Sequence, residues 1–316
     1  MPNYPTEDEV LGYFESLSNW GLWGPDDQIG TINHITPEKR VRAASLVKDG
    51  FTVTCARPIT TAIAPDVISQ PIHYMIESGE GYEHDEKAGP RRMTQSSSDF
   101  FGMAFHGNTV THLDSLCHMF YESKMYNGRP SSLVSTRLGA TTESIDVLRD
   151  GVVTRGVLLD IPRLRGVRWL EPGESVTRED LEAAEQDAGL LVEAGDVLLI
   201  RTGQLRRRNE LGPWDMNVEG STGPHAGCLP FFYERSISIL GSDTANSLPH
   251  PGFTQLGNPV HQVSIVAMGL WLLDNANLED LAQACSLRNR WEFLMCISPL
   301  RIEGGTGSPL NPVAVF

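Results

Sequence analysis

Three strand-like runs constrain this chain more than any other feature: GVVTRGVLLDI at 151–161, AGDVLLIRTG at 194–203 and SISILGSDT at 236–244. Each is rich in Val, Ile and Leu, residues that suit a pleated, packed surface. Between the first two lies TREDLEAAEQDAG, a helix with Thr177 as its cap. Strands and helices in alternation specify an α/β domain, here expected to contain mixed β-sheets with flanking helices.

The flanking segments add elements around that centre. TEDEVLGYFESL reads as a short helix, with Thr6 as N-cap and acids in its first turn. TPEKRVRAASLVKDG reads as another, with Thr36 as N-cap, Pro37 at the first helical position and Gly50 as terminator. Between them, NWGLWGPDDQIGTINHIT sets two Trp among turn residues, an arm that either packs or lines a pocket. FTVTCARPI reads as a strand. From about 59 to 100 the chain is polar and irregular, with ESGEGYEHDEKAGPRR inside it, and a loop that long is more often a lid, an arm or a partner contact. HQVSIVAMGLWLLDNANLEDLAQA is an apolar run leading into a capped helix, and RRRNE at 206–210 reads as a solvated turn. The terminal GGTGSP lacks the Lys-Ser/Thr of a phosphate loop and precedes an extended segment, so a phosphate role is rejected. No repeat or linker divides the chain, and a single domain over 1–316 is expected.

The totals narrow the partners. A formal charge of −15 repels phosphate backbones and anionic lipid, so neither nucleic acid nor membrane is expected as a partner. No run approaches the roughly 20 apolar residues that span a bilayer, and the start shows no secretory pattern. Five scattered cysteines without a C-x-x-C pair suit reduced thiols, and a cytoplasmic setting is expected.

Chemistry concentrates in THLDSLCHMFYESKMYNG at 111–128, where His112, Asp114 and His118 fall within seven positions. On a strand, side chains at i and i+2 share a face, so His112 and Asp114 would converge as an imidazole and a carboxylate that Zn²⁺ or Mn²⁺ accepts. His118, again at an even spacing, would stand just outside, placed to move a proton. The same residues could equally be hydrogen-bonded loop polars. Cys117 is a rival nucleophile, but neighbours on a strand point to opposite faces, and a Cys117–His118 dyad is geometrically poor.

GNTVTHLDSLCH resembles the H-x-G-T-H-x-D-x-P-x-H signature of the metal-dependent cyclase-like hydrolase family, which includes bacterial kynurenine formamidases and isatin hydrolases. GDVLLIRTG, ILGSDTANSLP, PVHQVSIVAMGLWLLDNANLEDLA, GGTGSPLNPVAVF and WGPDDQIGTINHITPEK are similar to further family segments, in the family's order. The resemblance implies a swivelling β/β/α cyclase-like fold. It also implies His112 and Asp114 as metal ligands, His118 as the proton-transfer histidine, His261 as the late ligand and Asp274 in the place of the family's Glu. Two departures stand out: the signature's first His is Asn108 here and its Pro is Leu116. Loss of that His, with Glu shortened to Asp at 274, argues for one divalent metal per site, Mn²⁺ or Zn²⁺, with Asn108 left to donate a carbonyl oxygen or bind substrate and His106, two residues earlier, as the candidate substitute for the lost His.

The activity so implied is hydrolysis of a small amide, lactam, lactone or ester by an activated water, in a homodimer or homotetramer. Ring closure, dehydration or isomerisation on the same site is the alternative, and a binding protein with a degenerate site is another. Trp23, beside Trp20, is a candidate apolar wall of the pocket. Asp243, at a strand end where α/β sites gather, is a candidate substrate contact. Arg201 is expected to form an ion pair near the site.

Overall fold

The computed structural model describes residues 4–82, 94–246, 248 and 252–316. Eleven strands carry the architecture: β1 (Thr52–Thr54), β2 (Ile72–Glu77), β3 (Ser98–Gly102), β4 (His112–Asp114), β5 (Val152–Asp160), β6 (Val197–Arg201), β7 (Ile239–Ser242), β8 (Trp271–Asp274), β9 (Glu292–Ile297), β10 (Gly307–Pro309) and β11 (Val313–Val315). All but β2 and β3 form one mixed sheet in the order β1-β11-β9-β5-β6-β7-β8-β4-β10. The four central strands β5 to β8 run parallel in chain order, and the strands on either side pair antiparallel. Every residue of β6, β7 and β8 is buried, as expected where helices cover both faces of a parallel sheet. The α/β reading with a mixed sheet therefore holds, and the helices with Thr6, Thr36 and Thr177 as caps form with those side chains accepting backbone N–H groups.

Several local expectations are corrected. FTVTCARPI contributes only the three residues of β1. The stretch from about 59 to 100 is not wholly irregular: β2 and β3 pair as an antiparallel ribbon, while residues 83–93, which include all of EHDEKAGPRR, lie outside the described residues. RRRNE is helical, inside Gln204–Leu211, because Arg206 reaches Glu210 one turn on and Arg208 pairs with Asp66. The apolar run from His261 also breaks in two. A helical turn and a π-helix (Gln262–Met268) end at left-handed Gly269, and β8 follows.

The aromatic arm explains how that π-helix is held. Wide helical turns leave carbonyls poorly satisfied, and the arm supplies donors. Asn19 donates its backbone N–H to Ala267 O and its side-chain amide to Met268 O, while Trp20 Nε1 donates to Val266 O. Thr31 N–H donates to Gly269 O, and the arm's own Ile29 carbonyl accepts from Trp271 Nε1. The arm thus packs against the segment that carries His261 into position.

Candidate metal centre

Strand register builds the centre. In the β4–β8 pair His112 lies opposite Asp274, and Asp114 sits two residues further along β4 on the same face. Strand β10 covers the other edge of β4 and places Pro309 opposite His112. His261 arrives from the turn before the π-helix, thirteen residues ahead of Asp274. His118 lies beyond the strand. β4 stops at Asp114, and a turn closed by His118 N–H to Ser115 O brings the ring back.

The four groups expected as ligands meet, and a fifth joins them. His261 Nε2 stands 3.1 Å from Asp274 Oδ2 and 3.5 Å from Asp114 Oδ2. His112 Nε2 is 3.4 Å from Asp114 Oδ1 and 4.0 Å from Asp274 Oδ2. His106 Nδ1 lies 2.9 Å from Asp114 Oδ1, while the Asn108 side chain does not join the group. The donors form two groups, His106–His112–Asp114 and Asp114–His261–Asp274, and the two oxygens of Asp114 face opposite groups. His118 stands at the margin, with Nε2 3.9 Å from Asp114 Oδ2 and its ring stacked on that of His106 at 3.9 Å and 3°.

Outer contacts set orientation. His112 Nδ1 donates to the carbonyl of Val110 at 2.8 Å, which leaves the Nε2 lone pair facing the two carboxylates. Asn275, with φ 55°, donates from Nδ2 to Gly107 O and Val110 O, tying the loop before β4 to the end of β8. Asn246 donates to Asp274 Oδ1 at 2.8 Å, and His106 Nε2 meets Thr306 Oγ1 at 3.0 Å. Asn246 and Thr306 went unnoticed in the sequence. Neither carries a local spacing signal, because each reaches the centre from a distant loop.

A cation fits these residues on their own terms. Both oxygens of Asp114 are buried with His106 Nδ1 and His261 Nε2 close by but poorly directed for hydrogen bonding, and His261 Nδ1 is buried without a partner among the described residues. Such groups cost free energy unless paired or coordinated. A lone pair of His112 aimed at buried carboxylates is repulsive until a positive charge comes between. Without one, protons take that role. Burial alone would raise the Asp114 pKa, but the charges of His118 and His112 and the contacts of His106 and His261 hold it well below the carboxylate range. Burial alone would depress His261, yet Asp274 and Asp114 outweigh it and push the pKa up to about 10. His118 moves the other way, down to about 4, because desolvation exceeds the attraction of Asp114.

Other candidates fall elsewhere. Asp243 accepts from Thr202 N–H and Oγ1 and from Gly203 N–H, all at 2.8 Å, so its carboxylate clamps the turn after β6 rather than joining the donors. Asn108 offers its backbone carbonyl to Arg57, and Trp23 packs edge-on against His34. Arg201 pairs with Asp160 and Glu279, as expected. Cys117 is fully buried, and desolvation raises its thiol pKa to about 11, which disposes of the dyad.

The family model described as "Putative cyclase" matches residues 51–247. The chain belongs to this cyclase family. A solved structure described as a novel cyclase is 33% identical, covers 95% of this chain and 100% of its own, and superposes with a TM-score of 0.85. Isatin hydrolase A from Ralstonia solanacearum shares the fold at 21% identity and a TM-score of 0.57, covering 89% of this chain and 98% of its own. A protein described as a predicted metal-dependent hydrolase from Bacillus stearothermophilus does so at 17% and 0.53, covering 84% and 98%. Among curated proteins no significant match is found. In this cyclase-family chain Asn108 stands away from the donors, and His106 is the residue of that segment that reaches Asp114.

Proposed function

We propose that the chain is a metal-dependent hydrolase of a small amide, lactam, lactone or ester, with Mn²⁺ or Zn²⁺ held at the centre around Asp114. The observation that carries this reading is the buried carboxylate of Asp114, ringed by four imidazoles within 4 Å and with neither oxygen in a well-directed hydrogen bond. Asp114, His261 and Asp274 would hold one cation. His106 and His112, with the second oxygen of Asp114, supply donors for another, so the departure at Asn108 no longer argues for a single ion. Nitrogen and oxygen donors without thiolate suit both metals, with affinity favouring Zn²⁺. When bound, the metal supplies a Lewis acid that polarises a carbonyl and lowers the pKa of water.

The chain's own groups do the rest. The side chains of His112, Asp114, His261 and Asp274 are almost closed to solvent, whereas those of His106 and His118 are 29% and 24% exposed. Substrate therefore enters past the two stacked rings. His118, fixed on His106, takes the proton of the attacking water at Nε2 and returns it to the leaving nitrogen or oxygen. The dry side of the centre excludes competing water.

Isatin hydrolase shares the fold, which puts cyclic lactams first in a substrate panel with lactones and formyl amides. Elemental analysis of purified protein tests the site, with acid release across the panel as the activity readout. Two equivalents of metal fit the donor count and one fits the signature alone. None after incubation with Mn²⁺ and Zn²⁺ would sink the reading and leave a binding protein. Ring closure is the second reading, favoured by the 33% identical structure described as a cyclase. Ring-opened acids incubated with the loaded protein distinguish it, since net formation of the ring identifies the cyclase direction.

A further inference from the structure

Arg57 lies beyond the metal centre, just after β1, and only 7% of its surface is exposed. Arg201, equally buried, sits between Asp160 and Glu279, and Arg129 pairs with Glu143, while half-buried Arg290 meets only the Leu46 carbonyl and the Phe316 ring among the described residues. Arg57 makes no ion pair among the described residues. Its Nη1 donates to Asn108 O at 3.2 Å and its Nη2 to the backbone carbonyl of Asp243, while Nε is buried without any acceptor. The nearby carboxylates are committed elsewhere: Asp243 to Thr202 and Gly203, and Asp66 to Arg208. Burial, opposed by the charge of Asp243, pulls the guanidinium pKa down to about 10. A buried cation with two neutral acceptors and one idle donor is expensive, and a bound anion would relieve it.

Arg57 opens onto a cavity of about 380 Å³. Ile59, Val67 and Leu205 give it apolar walls, while Thr109 and Arg208 add polar groups. The volume lies at the low end of small-molecule sites, which combine apolar walls with a few placed polar groups. Glu279, also at the wall, has both oxygens bound by Arg201, and Asp280 sits at the exposed rim against Asn277. We infer that this cavity binds a small organic acid, whose carboxylate supplies the anion that Arg57 lacks, in the charge-assisted geometry guanidinium favours.

The site communicates with the metal centre through one stretch of backbone. Arg57 holds Asn108 O by its side chain and Thr111 Oγ1 by its backbone N–H, and Val110 O between them orients His112. A carboxylate here belongs either to the substrate or to a separate effector.

Benzoate is the probe, titrated by calorimetry into the full chain both metal-loaded and chelator-treated. Saturable binding is expected in both forms, weakened at least about tenfold, or about 1.4 kcal/mol, by Arg57→Gln. Because the chelator-treated protein binds too, this outcome is separable from failure of the hydrolase reading. Thr109→Glu is the second variant, in case Arg57→Gln fails to fold: the carboxylate it introduces should occupy the site and abolish binding. His112→Ala should leave benzoate affinity intact. Water-proton relaxation of the Mn²⁺-loaded form then assigns the source, since a substrate-like carboxylate displaces water near the metal and an effector does not. Absence of saturable binding in the parent overturns the inference, as does parent-like affinity in a folded Arg57→Gln or, where that variant does not fold, in Thr109→Glu, or loss of binding in His112→Ala alone.

Discussion

Asp114 concentrates the chemistry of this chain in two oxygen atoms, each facing its own set of imidazoles. Asp114→Asn should lower divalent-metal affinity by at least about 100-fold, more than loss of an outer partner costs. Asn246→Ala, which removes only the hydrogen bond to Asp274, should cost about 10–100-fold, and metal titration against a chelating dye orders the two. His118→Gln should keep the metal and lose about 10²–10⁴-fold in turnover, since its part is proton transfer. If that variant loses metal as well, His118 is a ligand instead. Protonation governs the chelator-treated protein. His261 is raised to about 10, so its stabilising contribution is complete below its ordinary 6.5 and fades as pH climbs through 10. Asp114 is depressed, so its contribution is present above 3.8 and is lost as pH falls through its folded value. From these two groups, stability should peak between about pH 4 and 6.5. Urea midpoints measured from pH 3 to 10 check this, and a midpoint still rising between 7 and 10 would contradict the coupling of His261 to the two carboxylates.

Among the elements, the passage from π-helix to β8 is the most constrained. Gly269 has φ 62°, and a Cβ there would lie 2.5 Å from the Tyr126 ring. Gly269→Ala therefore combines backbone strain with a clash against a buried aromatic, and should destabilise by roughly 2 kcal/mol or more. Thermal unfolding measures it, and a loss below about 0.5 kcal/mol would mean that the segment adjusts freely. The π-helix itself shows why periodicity failed on this stretch. Its residues are buried from Val263 to Met268, so no face alternates, and its hydrogen bonds go to Asn19, Trp20 and Thr31, more than 200 positions away. RRRNE misled in the opposite way. A charged run suggests a solvated turn, yet Asp66 and Glu210 neutralise two of its arginines and leave them good helix formers.

At the scale of the whole molecule, the β2–β3 ribbon is the part that the sheet leaves uncovered. Ile72, Tyr74, Met75, Ile76, Phe100 and Phe101 are all exposed, on both faces of a two-stranded element that is marginal alone. A homodimer or homotetramer that covers this ribbon is expected. Light scattering should report the oligomer, and Tyr74→Lys with Ile76→Lys should shift it toward monomer without loss of metal; a parent already monomeric at micromolar concentration would remove the expectation. No helix among the described residues is long and apolar enough to cross a membrane. The sequence by itself determined the α/β class, because β-rich runs and capped helices are local signals, and it determined the membership that the cyclase comparisons show. It also singled out His112 and Asp114, whose spacing on one strand is a local fact. Only the tertiary structure brought His106 to Asp114, set Asp274 opposite His112, turned Asp243 onto the Thr202 backbone and left Arg57 without a carboxylate. Each of those depends on strand register or on a partner far away in the chain, and neither is encoded in the spacing of neighbours.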